Sequence, residues 1–309
     1  MILKLYKLLF NRNTFLIFAI LIGLSFNDLA IVLKDYNIYI LALVMTFSTS
    51  GISTSGLLPV SKSLKIMGTA VLLGYFIFSS VLLLLSWVLV KNEYLFYGLV
   101  VIAASPPGVA VIPFTHYLRG NMNYTMIGTL GAYLASIIIA PIIITVFSGS
   151  NLLQPMQIIV VMIKIIIIPF LLSRVLRQKS IYKAVEKFKG KIVDLGFALI
   201  IYTAVGLNRE VFFSNFEVLA TISLIFFISM FVLGYLYNRM AIYLKIPYSN
   251  RVSQNLLLTV KSSGFTASVS LALFGKEAAV PSAIMAVLVL VYLIYLSIRS
   301  KITYVDNTK

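Results

Sequence analysis

Ser105-Pro106-Pro107-Gly108 stands in the middle of one apolar run, residues 94–118, and Lys261-Ser262-Ser263-Gly264 stands in the middle of another, residues 249–275. Two successive prolines remove two backbone donors and clash with the preceding helical turn, and Gly108 tolerates conformations closed to other residues. A continuous helix through 105–108 is therefore not expected. The Ser-Ser-Gly of the later run marks a second interruption at a similar depth. Each segment is short and polar, and each lies inside a run long enough to cross a bilayer. Irregular backbone at membrane depth is tolerated only where protein or a water-filled cavity satisfies its polar groups, and paired broken helices of this kind frame midplane sites in transporters.

Composition sets the surroundings of these two segments. The chain has 309 residues, 61% hydrophobic and 11% charged, with a mean hydropathy of +1.03. A soluble domain carries about a quarter charged residues, so this chain belongs in a membrane. Windows of about 20 apolar residues fall at 14–33, 37–57, 66–90, 94–118, 122–148, 154–176, 192–208, 215–241, 249–275 and 279–299, which predicts about ten transmembrane helices and an all-α membrane protein. The apolar runs are continuous rather than alternating, which excludes a β-barrel. The basic stretch Met1–Asn13 followed by Phe15–Phe26 has the layout of a signal peptide but no small-residue cleavage pattern follows, and it reads as a first, short span.

Lys and Arg number 25 against 9 acids, a net charge of +16. Their positions explain the excess without nucleic acid. Nineteen of the 25, including Arg119, the basic loop 174–191, Arg251 and Arg299, fall on one side of the ten-span layout; only Lys34, Lys91, Arg209 and Lys276 fall on the other. Six of the nine acids share that second side. Basic residues concentrate in cytoplasmic loops, so both termini are expected in the cytoplasm and the chain in the cell membrane. The two broken spans, the fourth and the ninth, are five spans apart. Five spans per half predicts two repeats of opposite orientation, residues 1–150 and 151–309.

Function classes fall away on inventory. No Cys and one His exclude thiolate clusters, multi-His metal sites and a Cys nucleophile. An intramembrane protease lacks its constellation: His116 is the only His, and Asp194 is the only acid near membrane depth without a second beside it. No Gly-Lys-Ser/Thr phosphate loop is present, so ATP-driven pumping is not expected. No cofactor and no protein partner is evident; the partners implied are the lipid bilayer and a solute.

The run Ser105-Pro106-Pro107-Gly108-Val109-Ala110-Val111-Ile112-Pro113-Phe114-Thr115-His116-Tyr117-Leu118-Arg119-Gly120-Asn121, followed by Ala140-Pro141, resembles the fourth-span signature of the bile acid:sodium symporter family. A second likeness runs from Ile246-Pro247-Tyr248 through Ser262-Ser263-Gly264 to Phe274-Gly275-Lys276-Glu277-Ala278-Ala279-Val280-Pro281. The resemblance implies a core domain of spans three to five and eight to ten that carries two crossed, broken helices, and a panel domain of spans one, two, six and seven that moves against it. It also implies a substrate and ion site at the crossing. The candidate residues there are Pro106, Pro107, Gly108 and Val109 from the fourth span and Thr125 and Thr129 from the fifth. The ninth span contributes Thr259, Lys261, Ser262, Ser263 and Gly264.

The sodium-ligand pattern implied by the resemblance is largely missing. Leu257 and Lys261 stand where a Glu and a Gln are expected, Val111-Ile112 where Ser-Asn is expected, and Gly74 replaces a Gln. Two threonine hydroxyls are a poor sodium cage, so sodium coupling is not expected. A Lys at the bilayer centre costs about 2.5–3.5 kcal/mol on insertion scales, and Lys261 is expected to occupy the space of a bound cation, with a proton as the alternative coupling ion. The leading reading is a secondary active transporter of small organic anions. Two alternatives stand beside it: a sodium- or proton-coupled exporter resembling auxin efflux carriers, and a membrane sensor that binds without transport. Lys164 has no assigned role, His116 is expected at the interface, and Ser48–Gly56 is expected to serve close helix packing.

Overall fold

A computed structural model describes residues 12–51, 60–108, 111–148, 156, 160–161 and 163–306. Among them the structure is helical, without strands. In chain order the helices are α1 (Arg12–Ser25), α2 (Asp28–Thr49) and α3 (Val60–Leu89), α4 (Glu93–Ala104), α5 (Val111–Tyr117), α6 (Met122–Ser148) and α7 (Ile168–Leu176). There follow α8 (Lys179–Leu207), α9 (Arg209–Ser214), α10 (Phe216–Tyr243), α11 (Tyr248–Thr259), α12 (Ser263–Phe274) and α13 (Val280–Asp306).

Six helical stretches among the described residues are long and apolar enough to cross a membrane: Asp28–Thr49, Val60–Leu89, Met122–Ser148, Ile181–Leu207, Phe216–Tyr243 and Glu277–Arg299. Thr14–Ser25, Glu93–Ala104 and Ser263–Phe274 are apolar but shorter. Large hydrophobic side chains are left exposed along these helices, among them Trp87, Ile138, Val146 and Leu236. Such a surface is stable only against lipid, and the chain is a multi-pass membrane protein.

Two boundaries depart from the sequence expectation. The first span does not run through 14–33: α1 ends at Ser25, and Asp28 opens the next helix. The Phe26 amide closes the last turn on Ile22 at 2.7 Å, and the Ala30 amide begins the next on the Asn27 carbonyl at 3.0 Å. Asn and Asp compete with helical hydrogen bonding and favour such junctions. The second departure is the basic segment 174–191, expected as a loop. Most of it is helix, because α8 begins at Lys179 and runs for 29 residues. Lys, Glu, Ala and Ile follow one another there with no proline, and Lys189 pairs with Glu186 at 3.6 Å. The sixth span, 154–176, falls partly outside the described residues.

α4 is the buried axis. From Leu99 to Ala104 every residue is at most 1% exposed, and Gly98 lets the helix approach Ala278: a Cβ there would overlap the Ala278 carbonyl oxygen. α3 carries a wide π turn over Leu72–Phe78. Ser79 Oγ donates to the Ala103 carbonyl at 2.6 Å and lies 3.0 Å from the Gly74 carbonyl, which ties the loosened turn of α3 to the C-terminal end of α4.

Candidate functional site

Both expected breaks are present. α4 ends at Ala104, and its cap Ser105 is extended (φ −78, ψ 150), as the residue before proline is driven to be. α11 ends at Thr259, and its cap Val260 is also extended (φ −101, ψ 97). Each unwound strand leaves backbone groups that its own helix cannot satisfy, and each satisfies the other. The Gly108 amide donates to the Val260 carbonyl at 2.9 Å and the Ser262 amide donates to the Pro106 carbonyl at 3.2 Å. Pro107 and Lys261 are thereby paired in an isolated antiparallel bridge. Tyr133 of α6 donates its hydroxyl to the Pro107 carbonyl at 3.1 Å.

The glycine at this crossing is required for proximity rather than for an unusual φ. Among the described glycines only Gly275 has a positive φ. At Gly108 a Cβ would lie 2.9 Å from the Lys261 carbonyl oxygen, so the expected conformational role gives way to a close-approach one. Gly264 has the same use on the other strand, with a Cβ there 2.5 Å from Phe197 Cδ1.

Lys261 is 1% exposed. Its Nζ donates to the Ser105 carbonyl at 2.7 Å and lies 3.4 Å from the Ala103 carbonyl. The same atom stands 4.5 Å from the centroid of Tyr75 and 5.4 Å from that of Phe78. Both rings come from the π turn of α3 and its end, so the ammonium sits between the negative end of the α4 dipole and two aromatic faces. Among the described residues no carboxylate is paired with it.

The remaining candidates divide. Pro106, Pro107, Gly108, Lys261 and Ser262 meet at the crossing, and Ser262 Oγ accepts from the Phe265 amide at 3.4 Å to cap α12. Ser263 lines the same small cavity with Gly108, Val260 and Lys261. Thr125 pairs its hydroxyl with Thr115 at 3.0 Å, and Thr259 donates to its own helix at Asn255 O, 2.8 Å. Each of these hydroxyls has a local hydrogen-bond partner. Thr129 Oγ1 is buried without a hydrogen-bond partner. Val109 lies outside the described residues. Tyr75, Ser79 and Tyr133 were not among the candidates. They sit in apolar runs without a periodic signal, and only the fold brings them to the crossing.

The cavity at the crossing holds about 30 Å³, one water's worth of space, and it is also lined by Leu16 and Ile20 of α1 and by Phe197 and Ile201 of α8. Elsewhere, His116 is exposed, and Lys164 lies exposed in a π turn over Ile163–Ile167. In the Ser48–Gly56 cluster, Thr49 and Ser50 donate to carbonyls of their own helix. The Thr49 and Ser50 carbonyls accept from Arg174 at 2.7 Å and Arg177 at 3.0 Å. Residues 52–56 lie outside the described residues.

Comparison with curated proteins gives no match. The model of the sodium bile acid symporter family matches residues 14–215, about two-thirds of the chain. The matched segment contains the first broken helix, while the second, with Lys261, lies beyond it. With that match covering well over half of the sequence, the chain belongs to the sodium bile acid symporter family.

Proposed function

We propose that this protein is a secondary active transporter of small organic anions that works by alternating access, with Lys261 standing in for a bound cation. The observation that carries the reading is the Lys261 ammonium at 2.7 Å from the Ser105 carbonyl. A hard cation needs oxygen donors, and the carbonyl end of a broken helix supplies them. Here a side chain of the chain itself takes that place. In this scheme the crossing is held together without a diffusible ion, and sodium coupling is absent; a proton on the amine is the alternative coupling species.

The scheme takes residues 1–150 and 151–309 as inverted five-span repeats. Spans three to five and eight to ten form a core, spans one, two, six and seven form a panel, and both termini are cytoplasmic. An anionic solute is favoured because the amino end of α12 and the lysine both present positive charge near the crossing. The small, apolar-walled cavity described above then corresponds to a conformation in which the panel is closed against the core.

The test is uptake into proteoliposomes of a panel of radiolabelled organic acids, with sodium or choline as the only monovalent cation, for the native chain and Lys261→Gln. Flux of at least one acid that is equal in sodium and choline, and lost or made sodium-responsive in Lys261→Gln, is the expected result. Unchanged uptake with unchanged ion dependence in the variant would sink the assignment to Lys261. Saturable binding without flux would favour the sensor over the transporter.

A further inference from the structure

Away from the crossing, a chamber of about 710 Å³ lies between α2, the junction of α8 with α9, and the end of α12. That volume is in the range of sites for small solutes, whereas the crossing itself holds about 30 Å³. Lys34, Asp35, Arg209, Glu210 and Lys276 stand around the chamber, three basic side chains against two acids. Charge of both signs surrounds it, and the excess is positive.

A buried amide sets this chamber apart. Asn37 follows a short 3-10 turn over Lys34–Tyr36 within α2, and its backbone amide donates to the Lys34 carbonyl. Its side chain lines the chamber and is 1% exposed, yet neither Oδ1 nor Nδ2 has a hydrogen-bond partner. The other buried carboxamides among the described residues are committed. Asn208 Nδ2 donates to the Ala204 carbonyl at 2.9 Å, and Asn255 donates to the Gly234 carbonyl at 2.7 Å while accepting from Tyr292 at 2.7 Å. Folded proteins keep few buried polar groups unanswered, because each loses its bonds to water without replacement. Ser268 of α12 lines the same chamber, is also 1% exposed, and its Oγ is likewise without a partner. α2 packs against α12, so the two orphaned groups belong to helices that meet at the chamber.

The chemistry of an orphaned carboxamide restricts what answers it. A carboxylate, ketone or ester accepts from Nδ2 and offers nothing to Oδ1. A primary carboxamide or a lactam presents a C=O and an N–H side by side and satisfies both ends of Asn37. We propose that this chamber binds a small organic acid bearing a primary carboxamide or lactam group, with Asn37 as the residue that selects the amide. The proposal rests on the transport reading for the acid and adds the amide to it. Asn37 is covered in this conformation, so the solute reaches it as α2 and α12 part at the chamber.

The purified full-length chain in detergent is titrated with succinamate, with pyroglutamate and with 4-oxopentanoate, in which a methyl replaces the amide nitrogen of succinamate. Binding is read by calorimetry and by the unfolding midpoint. The two amides are expected to bind at least about tenfold more tightly than the ketone, since a site built around a donor and an acceptor rejects an analogue lacking one of them. In Asn37→Leu that preference is expected to vanish. The ligand-free midpoint of the variant is expected to hold level or rise, because an apolar group of similar size replaces an unpaired buried amide. Equal binding of amide and ketone by the native chain, or no binding of any of the three, overturns the proposal without recourse to a variant. So does a preference that persists in Asn37→Leu, or a marked fall in its ligand-free midpoint, which would show the amide satisfied within the fold. Uptake into proteoliposomes separates the two readings. Amide-selective binding without flux retires transport and leaves the site, whereas flux of organic acids with no preference for the amide retires the site and leaves transport.

Discussion

Lys261 Nζ lies 2.7 Å from the Ser105 carbonyl oxygen, so a side chain from one broken helix terminates the backbone of the other. The neighbouring carbonyl of Ala103 is shared: it accepts from Ser79 Oγ at 2.6 Å and from Lys261 at 3.4 Å. Removing the lysine therefore orphans the Ser105 oxygen while Ala103 keeps a donor. A buried acceptor left without a partner costs about 1–3 kcal/mol. Relief of the buried ammonium's desolvation partly offsets this. Lys261→Met is expected to fold with a modestly lowered unfolding midpoint, and Lys261→Ala to be lower still, because truncation adds a cavity worth about 2–5 kcal/mol. Lys261→Met combined with Ser79→Ala removes both donors to Ala103. The pair is expected to lose more than the two single variants together, and a strictly additive thermal-unfolding cycle would contradict the shared-carbonyl geometry.

The glycines separate by what surrounds them. A Cβ at Gly108 would meet the Lys261 carbonyl at 2.9 Å, whereas one at Gly68 meets nothing within 4 Å. Backbone atoms cannot rotate away, so Gly108→Ala is expected to destabilise by about 1–3 kcal/mol as an overpacked contact and to abolish flux by spreading the two strands. Gly68 lies on the exposed side of α3, and Gly68→Ala is expected to raise stability by about 0.5–1 kcal/mol through the unfolded chain alone. Unfolding midpoints of the two variants measured side by side check both signs.

Tyr133 supplies the hydroxyl that satisfies the Pro107 carbonyl at 3.1 Å. The ring is 5% exposed, so water does not readily replace it. Tyr133→Phe keeps the packing and removes the donor, with an expected loss of about 1 kcal/mol. The same change at the exposed Tyr243 is expected to have no effect, and a midpoint shift equal in both would remove the special status of Tyr133.

Much of this organisation is legible in the residues because proline and lysine are costly at membrane depth. The consecutive Pro106 and Pro107 in mid-run disfavour a continuous helix, and Lys261 in an apolar run demands interior partners, so both breaks and a protein-lined place for the lysine are legible in the residues. What does not follow is which groups answer them. Tyr75 and Ser79 lie beside Lys261 in and just after a π turn of α3, a feature with no sequence mark in Leu72–Phe78. Thr125 and Thr259 have the right chemistry for an ion site, yet their hydroxyls bond to Thr115 and to Asn255. A hydroxyl in sequence names a capacity, and local geometry decides where it is used. The helix over 179–191 was obscured for a different reason: its charge resembles a loop, while its propensities are helical.

The ends of the two broken helices remote from the crossing are also fastened together. Asn121 donates its backbone amide to the Ser249 carbonyl at 3.0 Å and to Ser253 Oγ at 2.9 Å. Ser253 Oγ approaches the Asn121 carbonyl at 2.9 Å, and Asn121 Nδ2 donates to Asn250 at 2.8 Å. A reciprocal cluster of this kind makes α5 and α11 move as one body if the crossing is a pivot. Ser253→Ala removes a buried hydroxyl from its centre and is expected to destabilise by about 1 kcal/mol. Asn121→Ala removes the side-chain bond to Asn250 and the Oδ1 that accepts from the Tyr124 amide at 3.1 Å, and leaves the backbone amide to Ser249. Because the two residues share partners, a double-mutant cycle on Ser253 and Asn121 is expected to give a coupling of about 0.5–3 kcal/mol. The cycle is to be measured by thermal unfolding and again by initial uptake rate. Coupling in stability together with coupling in rate supports a rigid joint; coupling in stability alone assigns the cluster to folding and leaves the motion of α5 and α11 independent.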